Sequence, residues 1–407
     1  MIKNLLIILF TIFPAIVSAQ WDVQNSGTNT ILKSISFLNE NTGWACGDDI
    51  VIKTTNGGAT WIQLNVTGYH EVIQFVNEND GWICGKNGII LRSTDGGVTW
   101  NTQNSNVTHH LTDLRFYDES IGFVTGFGKT LLKTTNGGDN WFHAIPPGPE
   151  PIMHSLFILD ENTVYASADL SFIYKSTNAG LTWDSLTLGM PNPFFSIFFI
   201  NENTGWLVGC CGMYFKTTDA GISWTPETYL TPGFTIHSSS FINGTTGWVA
   251  AEAGYILRTT DAGENWDSLY SGTFNDLYSI QFVNDSTGWA VGFDGIILKT
   301  TNGGGPGWSV GVQQISSQIP SEYSLNQNYP NPFNPATRIS FNLVKHSQTM
   351  LTVYNALGEL VATLVNEELM PGIYEYSFNG SDLGSGIYYY SLISGEYTET
   401  RKMVLIK

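Results

Sequence analysis

Cysteine is scarce in this chain, with four residues in 407. So few cysteines exclude a disulfide scaffold, although an exported chain meets oxidising conditions. Cys46 and Cys84 occupy the same place in two similar segments, Gly43–Gly47 and Gly81–Gly85. Equivalent positions point the same way, so no bridge between them is expected. For the adjacent Cys210 and Cys211, two free thiols are expected in preference to a strained vicinal disulfide.

Basic residues are also few, because 17 Lys and Arg stand against 35 Asp and Glu, for a net charge of −18. An acidic surface repels phosphate backbones and anionic lipid surfaces. Nucleic acid is therefore not an expected partner, and the acidity is interpreted mainly as a source of solubility.

Long apolar runs are missing after the first 19 residues. The run Leu5–Val17 follows Lys3 and precedes the small residues Ser18 and Ala19. This order is typical of a secretory signal peptide and is too short for a membrane span. The sequence predicts a signal peptide at 1–19 and a mature chain without a membrane span.

A short pattern repeats seven times across residues 20–312. It consists of a basic residue, two Thr or Ser, Asn or Asp, two small residues, two variable residues and Trp. The first copy is Lys53–Trp61, and the later copies end at Trp100, Trp141, Trp183, Trp224, Trp266 and Trp308. A period near forty residues filled with short strand-like segments is typical of a β-propeller.

Each repeat contains four strand-like pieces, which we name A to D. The second repeat shows them at 72–76, 81–85, 88–92 and 99–102. Asn-rich turns join A to B, and the repeated box joins C to D. The sequence thus predicts an all-β, seven-bladed β-propeller. A recurring aromatic residue in strand B is predicted to pack between blades: Trp44, Trp82, Phe123, Tyr165, Trp206, Trp248 and Trp289.

The first residues after the predicted cleavage site resemble a D strand. The segment Trp21–Gly27 is similar to the D segments at Trp100 and Trp266, whereas the last box carries one extra residue before Trp308. We therefore predict that residues 20–25 supply the D strand of the last blade.

The amino-acid composition changes after a polar linker that is predicted at 313–325. Residues 326–407 alternate apolar and polar side chains between Gly-containing turns. This pattern predicts a small antiparallel β-sandwich.

The seven boxes resemble the Asp-box of BNR repeats. Their pairing with a preceding Gly-Trp-x-x-Gly strand is similar to the photosystem II assembly and stability factor family. The resemblance covers 20–312 and implies a non-catalytic, seven-bladed propeller in which the box residue holds a turn. Those residues are Asn56, Asp95, Asn136, Asn178, Asp219, Asp261 and Asn302. The photosynthetic partner is not carried over, because the signal peptide, the acidity and the second domain point elsewhere.

Residues 326–407 closely resemble the type A C-terminal sorting domain of the type IX secretion system. The matching motifs include Tyr329–Pro335, Val353–Val361 and the end Lys402–Lys407. The resemblance implies handling by the type IX machinery, passage through the periplasm, and release or attachment at the cell surface. The positions that carry the motif are Gly358, Gly372, Tyr374, Gly386, Tyr388, Lys402 and Lys407.

Catalysis was weighed because Asp-boxes also occur in sialidases, which need three arginines for a substrate carboxylate. The propeller has Arg92, Arg115 and Arg258, and the first and last fill the basic position before a box. That leaves Arg115 alone, and the loops are too uniform to build a cleft. A glycosidase of another type, which uses a pair of carboxylates, stays an open alternative. The segment 123–130 fails as a phosphate loop, because Phe123 stands where glycine is needed.

A metal site is the alternative interpretation of five histidines that fall just before the predicted A strands: His70, His109, His110, His154 and His237. They share no fixed register, so loop histidines are favoured and no metal or cofactor is expected.

The B–C turns and D–A connections share one face of a propeller, and this face varies between repeats. Its acidic and aromatic residues are the candidate binding face: Asp48, Asp49, Asp169, Phe194, Phe195, Tyr229, Phe234, Glu252 and Asp294. The alternative is that the aromatics pack between blades. The sequence therefore favours an exported, non-catalytic propeller that binds a protein or glycan at the cell surface. A surface glycan hydrolase and a purely structural or adhesive protein are the alternatives.

Overall fold

The computed structural model describes residues 21–226, 230–231, 233–269, 271–305, 313–316, 320–334, 336–380 and 383–406. Within them the chain forms nine four-stranded sheets, seven before residue 306 and two after residue 312. The predicted all-β fold, a seven-bladed propeller followed by a β-sandwich, is confirmed. The predicted signal peptide at 1–19, Tyr229 and Lys407 lie outside the described residues. No helix in the described ranges is long and apolar enough to cross a membrane.

Every blade is an antiparallel sheet with strand A next to strand A of the neighbouring blades, around a central channel. In the order A to D, the strands are Leu32–Phe37, Gly43–Gly47, Ile50–Thr54 and Ile62–Gln63 in blade 1; His70–Phe75, Gly81–Gly85, Ile90–Ser93 and Asn101–Gln103 in blade 2; Leu111–Phe116, Gly122–Gly126, Thr130–Thr134 and Phe142–His143 in blade 3; Met153–Ile158, Val164–Ala168, Phe172–Ser176 and Asp184–Thr187 in blade 4; Phe194–Phe199, Gly205–Gly209, Tyr214–Thr217 and Thr225–Pro226 in blade 5; Ile236–Phe241, Gly247–Ala251, Ile256–Thr259 and Asp267–Leu269 in blade 6; and Leu277–Phe282, Gly288–Gly292, Ile297–Thr300 and Asp22–Gln24 in blade 7. Short 3-10 turns occupy five of the B–C connections, at Lys86–Gly88, Asp169–Ser171, Cys210–Gly212, Glu252–Gly254 and Phe293–Gly295.

The N-terminal strand closes the ring, as predicted. Asp22–Gln24 pairs antiparallel with the C strand of blade 7, with Asp22 opposite Lys299. Trp21, just before this strand, is 1 % exposed and packs edge-on against Phe282 at 5.7 Å between ring centroids. The first and last repeats therefore share one blade.

The blades are joined by a repeated aromatic contact. Trp44 of blade 1 stacks on Phe75 of blade 2 with centroids 3.6 Å apart, and its indole N–H donates to the Gly96 carbonyl at 3.0 Å. Five further stacks have the same form: Trp82 on Phe116, Tyr165 on Phe199, Trp206 on Phe241, Trp248 on Phe282 and Trp289 on Phe37. The predicted packing of the strand B aromatics between blades is confirmed.

Each Asp-box is held by a hydroxyl two residues before its Asn or Asp. Thr54 donates to the Asn56 side-chain oxygen at 3.0 Å and accepts from the Gly58 amide at 2.9 Å. The Asn56 oxygen also accepts from the Thr60 amide at 2.9 Å. The hydroxyl contact recurs at Asp95, Asn136, Asn178, Asp219, Asp261 and Asn302. These hydrogen bonds fix the tight turn between strands C and D. The side chains of the box residues are therefore engaged in hydrogen bonds within their own turns.

Two sheets form the C-terminal sandwich. In order across the first sheet the strands are Gln313–Ser316, Gly372–Asn379, Ala336–Leu343 and Ser324–Leu325; across the second they are Leu360–Leu369, Ser347–Asn355, Gly386–Ser394 and Tyr397–Leu405. The buried core between them includes Phe341, Leu351, Tyr390 and Met403. Two of these strands lie within 313–325, the range predicted as a linker, so the sheet draws on residues before position 326.

Candidate binding site at the mouth of the central channel

The two faces of the propeller are fixed by backbone hydrogen bonds between its connections. The Gly57 amide of a box donates to Asn41 of an A–B turn at 2.8 Å, and we call this side the box face. The Asp49 amide of a B–C turn donates to Gly68 of a D–A connection at 2.8 Å, and we call this side the variable face.

Strand A carries a β-bulge in all seven blades. In blade 1 the pairing register with strand B shifts between Leu32 and Ser34, and the same shift occurs in the other six blades. A bulge leaves one residue outside the ladder and redirects its side chain. The bulged residues are partly exposed, and we call them the channel ring: Lys33, Glu71, Thr112, His154, Phe195, His237 and Tyr278.

One arc of the channel ring is charged. Lys33 Nζ lies 2.5 Å from Glu71 Oε1 and 3.6 Å from Asp48 Oδ1. His110 Nε2 lies 2.9 Å from the same Glu71 oxygen. Burial alone would raise the pKa of Glu71, but the hydrogen bonds from His110 and Lys33 outweigh it and lower this pKa. Lys33 and Glu71 therefore neutralise each other within the arc.

The arc across blades 4 to 7 is aromatic. His154 and Phe195 have ring centroids 4.9 Å apart, Phe195 and His237 are 6.0 Å apart, and His237 and Tyr278 are 5.1 Å apart. We call these four residues the aromatic arc. Asp169 holds the first of them, because its Oδ1 lies 2.7 Å from His154 Nε2. The arc is a continuous row of half-buried rings across blades 4 to 7.

Two carboxylates lie at the connections that lead into the aromatic arc. Glu252 accepts a hydrogen bond from the Thr235 amide at 2.8 Å, and Asp276 accepts one from the Ala253 amide at 2.9 Å. Burial lowers the pKa of His237, and the charges of Glu252 and Asp276 oppose that shift. Burial also raises the pKa of Tyr278, with Asp276 adding to it. Backbone amides thus hold both carboxylates at the connections that lead into the strands of these two rings.

Four of the residues predicted for the binding face meet at this mouth. Asp48 contacts the charged arc, Asp169 contacts the aromatic arc, and Phe195 is a member of it. Glu252 accepts from the Thr235 amide, two residues before His237 of the aromatic arc. The structure brings these residues together around one opening, although they come from four different blades.

The other predicted residues lie elsewhere. Asp49 and Asp294 are turn residues with φ of 56° and 58°, and Asp49 accepts the Gly68 amide at 2.9 Å. Phe234 packs on Tyr255 with centroids 5.0 Å apart. Phe194 is fully buried against Phe215, so it serves the core and is not available to a ligand.

Sequence reasoning missed Lys33, Glu71, Thr112 and Tyr278 in the channel ring. These residues share one feature in the sequence, the second position of strand A. The direction in which a side chain at that position points depends on the β-bulge. An expectation of strict alternation assigns the side chain at that position to one face of the sheet and does not include the local register shift.

The histidines do not gather at one point. His70 is fully buried at the start of an A strand, His109 contacts Thr130 at 3.3 Å, and His110 and His154 pair with different carboxylates. Among the residues that the structure describes, no group of three metal-binding side chains was found.

The arginines serve separate structural contacts. Arg92 lies over the Trp82 ring at 5.5 Å, Arg258 donates to the Gly303 carbonyl at 3.4 Å, and Arg115 pairs with Asp113 at 3.4 Å. They belong to three different blades and do not converge on a common point.

The four cysteines are free. Cys46 and Cys84 are buried between blades, and burial raises the pKa of both thiols. Cys210 and Cys211 lie in a B–C turn of the variable face, where Asn192 Nδ2 lies 3.7 and 3.9 Å from their sulfur atoms.

The predicted sorting residues lie at turns and strand ends of the sandwich. Gly358 has a φ of 80° in the turn before Leu360–Leu369, and Gly372 and Gly386 begin strands. Tyr388 donates to the Gly384 carbonyl at 2.8 Å. Lys402 lies opposite Tyr389 in the register of the last two strands. Tyr374 is buried in the core.

These features define an Asp-box β-propeller joined to a small β-sandwich. The family model described as "Photosynthesis system II assembly factor YCF48" matches residues 13–104 and 175–274, and that described as "Secretion system C-terminal sorting domain" matches 327–407. The chain is thus a propeller similar to the photosystem II assembly factors, followed by a domain similar to the C-terminal sorting domains of a secretion system.

Solved structures agree with this assignment of the fold. A structure described as "YCF48 bound to D1 peptide" is 19% identical with a TM-score of 0.60, and the match covers 71% of this chain and 99% of that chain. A structure of YCF48 from Cyanidioschyzon merolae is 20% identical with a TM-score of 0.59, covering 69% and 98%. No curated protein matches the chain.

Proposed function

We propose that this protein is an exported, non-catalytic propeller that binds a protein segment at the channel ring. In this proposal residues 20–312 form the binding module and 326–407 direct the chain through the type IX system to release or surface attachment. The binding would occur on the variable face.

The observation that carries the proposal is the channel ring itself. Seven bulges direct six different residue types towards one opening, whereas the box face repeats one turn seven times. A surface that varies around a repeated scaffold provides the chemical differences that recognition needs. The half-buried rings of the aromatic arc are suitable anchors, because aromatic side chains contribute strongly to interfaces.

A protein segment is favoured as the ligand for two reasons. The solved YCF48 structure with a D1 peptide is a propeller of similar fold that holds a peptide. The channel ring also combines a charged arc and an aromatic arc, which suits a chain with mixed side chains.

The arrangement of the arginines supports a non-catalytic role. A sialidase-like site needs several guanidinium groups around one carboxylate. Here Arg92, Arg115 and Arg258 are engaged in separate blades. Panels of chromogenic glycosides should therefore give no turnover.

One observation favours a glycan as the second candidate ligand. A groove of about 680 Å³ on the variable face is lined by residues that include Tyr69, Asn87, Asn104 and Thr108. An aromatic ring beside amide and hydroxyl groups provides both a flat apolar surface and hydrogen-bonding partners. Lys86 covers one part of it, with Nζ 4.1 Å from the Tyr69 ring centroid.

Arrays of surface-protein peptides and of glycans, probed with the exported protein, test the proposal. We expect peptide capture that falls at least about tenfold in Phe195→Ala, which removes a central anchor. Tyr117→Ala is the matched control, because this exposed aromatic lies in an A–B turn of the box face. Glycan capture that is lost on Tyr69→Ala, with no peptide captured, would favour the second candidate.

A further inference from the structure

We infer that the aromatic arc receives a cationic side chain, Arg or Lys, from the bound protein segment. This inference rests on the proposed function and specifies the chemistry of its ligand.

The first support is the geometry of the rings. Phe195, His237 and Tyr278 follow each other with centroid separations of 6.0 and 5.1 Å, and all three are partly exposed. Aromatic faces attract Arg and Lys groups, and a planar guanidinium also stacks on them. The row of rings is therefore a suitable surface for a flat cation.

The second support is the placement of two carboxylates at the connections that lead into the strands of these rings. Glu252 and Asp276 each accept a hydrogen bond from a backbone amide, which holds the carboxylate in place. Thr235, the partner of Glu252, lies two residues before His237, and Asp276 lies two residues before Tyr278. A cation above the rings would lie within the field of two oriented negative groups, and charged hydrogen bonds of this kind are strong.

The third support is that the lysine of the channel ring is already engaged by other carboxylates. Lys33 is the basic member of the channel ring, and its ammonium group is paired with Glu71 and Asp48 on the charged arc. Burial alone would lower the pKa of Lys33, but hydrogen bonds and charges from these carboxylates raise it. The ammonium of Lys33 is thus already paired with its own partners, although its charge still acts on Tyr278 in the adjoining blade.

Calorimetric titration with acetylated and amidated hexa-arginine and hexa-glutamate tests the inference on the mature, full-length protein. We expect hexa-arginine to bind with one dominant site per chain and hexa-glutamate not to bind. Tyr278→Leu removes a ring, so affinity should fall about tenfold, whereas Tyr278→Phe keeps the ring and should stay within about twofold. Glu252→Gln keeps an acceptor for Thr235 and should also cost about tenfold.

A charge-matched control separates this site from general attraction to an acidic protein. Glu264→Gln also removes one negative charge, but this exposed carboxylate lies in a box and pairs with Lys216. Equal losses for Glu252→Gln and Glu264→Gln would overturn the inference. If Phe195→Ala abolishes capture from the peptide array while captured peptides carry no Arg or Lys, the proposed function stands and the cation inference fails.

Discussion

Trp289 of the seventh blade stacks on Phe37 of the first, with ring centroids 3.5 Å apart and ring planes inclined by 7°. The indole N–H donates to the Gly57 carbonyl at 3.2 Å. Beside them, the Gln281 side chain accepts from the Phe37 amide at 2.6 Å and donates to its carbonyl at 3.0 Å. The contact that closes the ring therefore has the same chemistry as the contacts between consecutive blades.

Truncation of this stack should weaken the whole propeller. Trp289→Ala removes a fully buried ring and leaves a cavity at the closing interface, so the free energy of unfolding should fall by about 3–5 kcal/mol. Denaturant titration measures the change. Phe142→Ala, at an exposed strand D position, is the control and should have little effect. An unchanged unfolding midpoint for Trp289→Ala would contradict the closing role.

The N-terminal strand should stabilise the ring through Trp21 more than through its exposed side chains. Trp21→Ala empties a buried site beside Phe282, and we expect a loss of about 3–5 kcal/mol in the free energy of unfolding. Val23→Ala lies on the same strand but is 64 % exposed, so it should cost far less. Thermal unfolding of both variants provides the comparison, and equal effects would show that strand pairing alone closes blade 7.

His70 should make the propeller sensitive to mild acid. Burial lowers its pKa to about 4 from an ordinary value near 6.5, and neither ring nitrogen has a hydrogen-bond partner among the described residues. The unfolded chain binds the proton first as the pH falls, so stability decreases between about pH 6.5 and pH 4. The full loss is about 3 kcal/mol, since one pKa unit is worth about 1.4 kcal/mol.

The contribution of His70 to the loss of stability in acid can be measured by comparing the free energies of unfolding at pH 7.5 and pH 4.5. His70→Asn should reduce the difference between the two, whatever its effect at a single pH. His143→Asn is the control, because His143 is exposed on strand D of blade 3. The prediction fails if His70→Asn keeps the acid sensitivity of the parent protein.

Removal of the last six residues should retain the protein in the periplasm. Residues 402–407 carry the end of the last strand, where Met403 and Leu405 are buried in the sandwich core. Cell fractionation of a producing strain measures the outcome. Glu396→Gln, at an exposed turn position outside the sorting motifs, is the control and should leave export unchanged. Normal surface delivery of the truncated chain would contradict the sorting role.

The sequence determined the propeller because its signals are local and repeated. The box residues, such as Asn56, bond within their own turns, and the strand B aromatics recur at the same place in every unit. The closing strand could also be predicted from the sequence, because Trp21 begins a segment that resembles the other D strands. Each of these features depends on neighbouring residues and on a fixed period, which a single sequence displays.

The tertiary structure alone decided the candidate site. Lys33 and Glu71 belong to different blades and meet only because the ring brings their strands together. Phe194 and Phe195 are adjacent in sequence, yet one is buried and the other reaches the channel mouth. The reason is the β-bulge in strand A, a property of the pairing between two strands, which redirects one side chain in every blade and so assembles the channel ring.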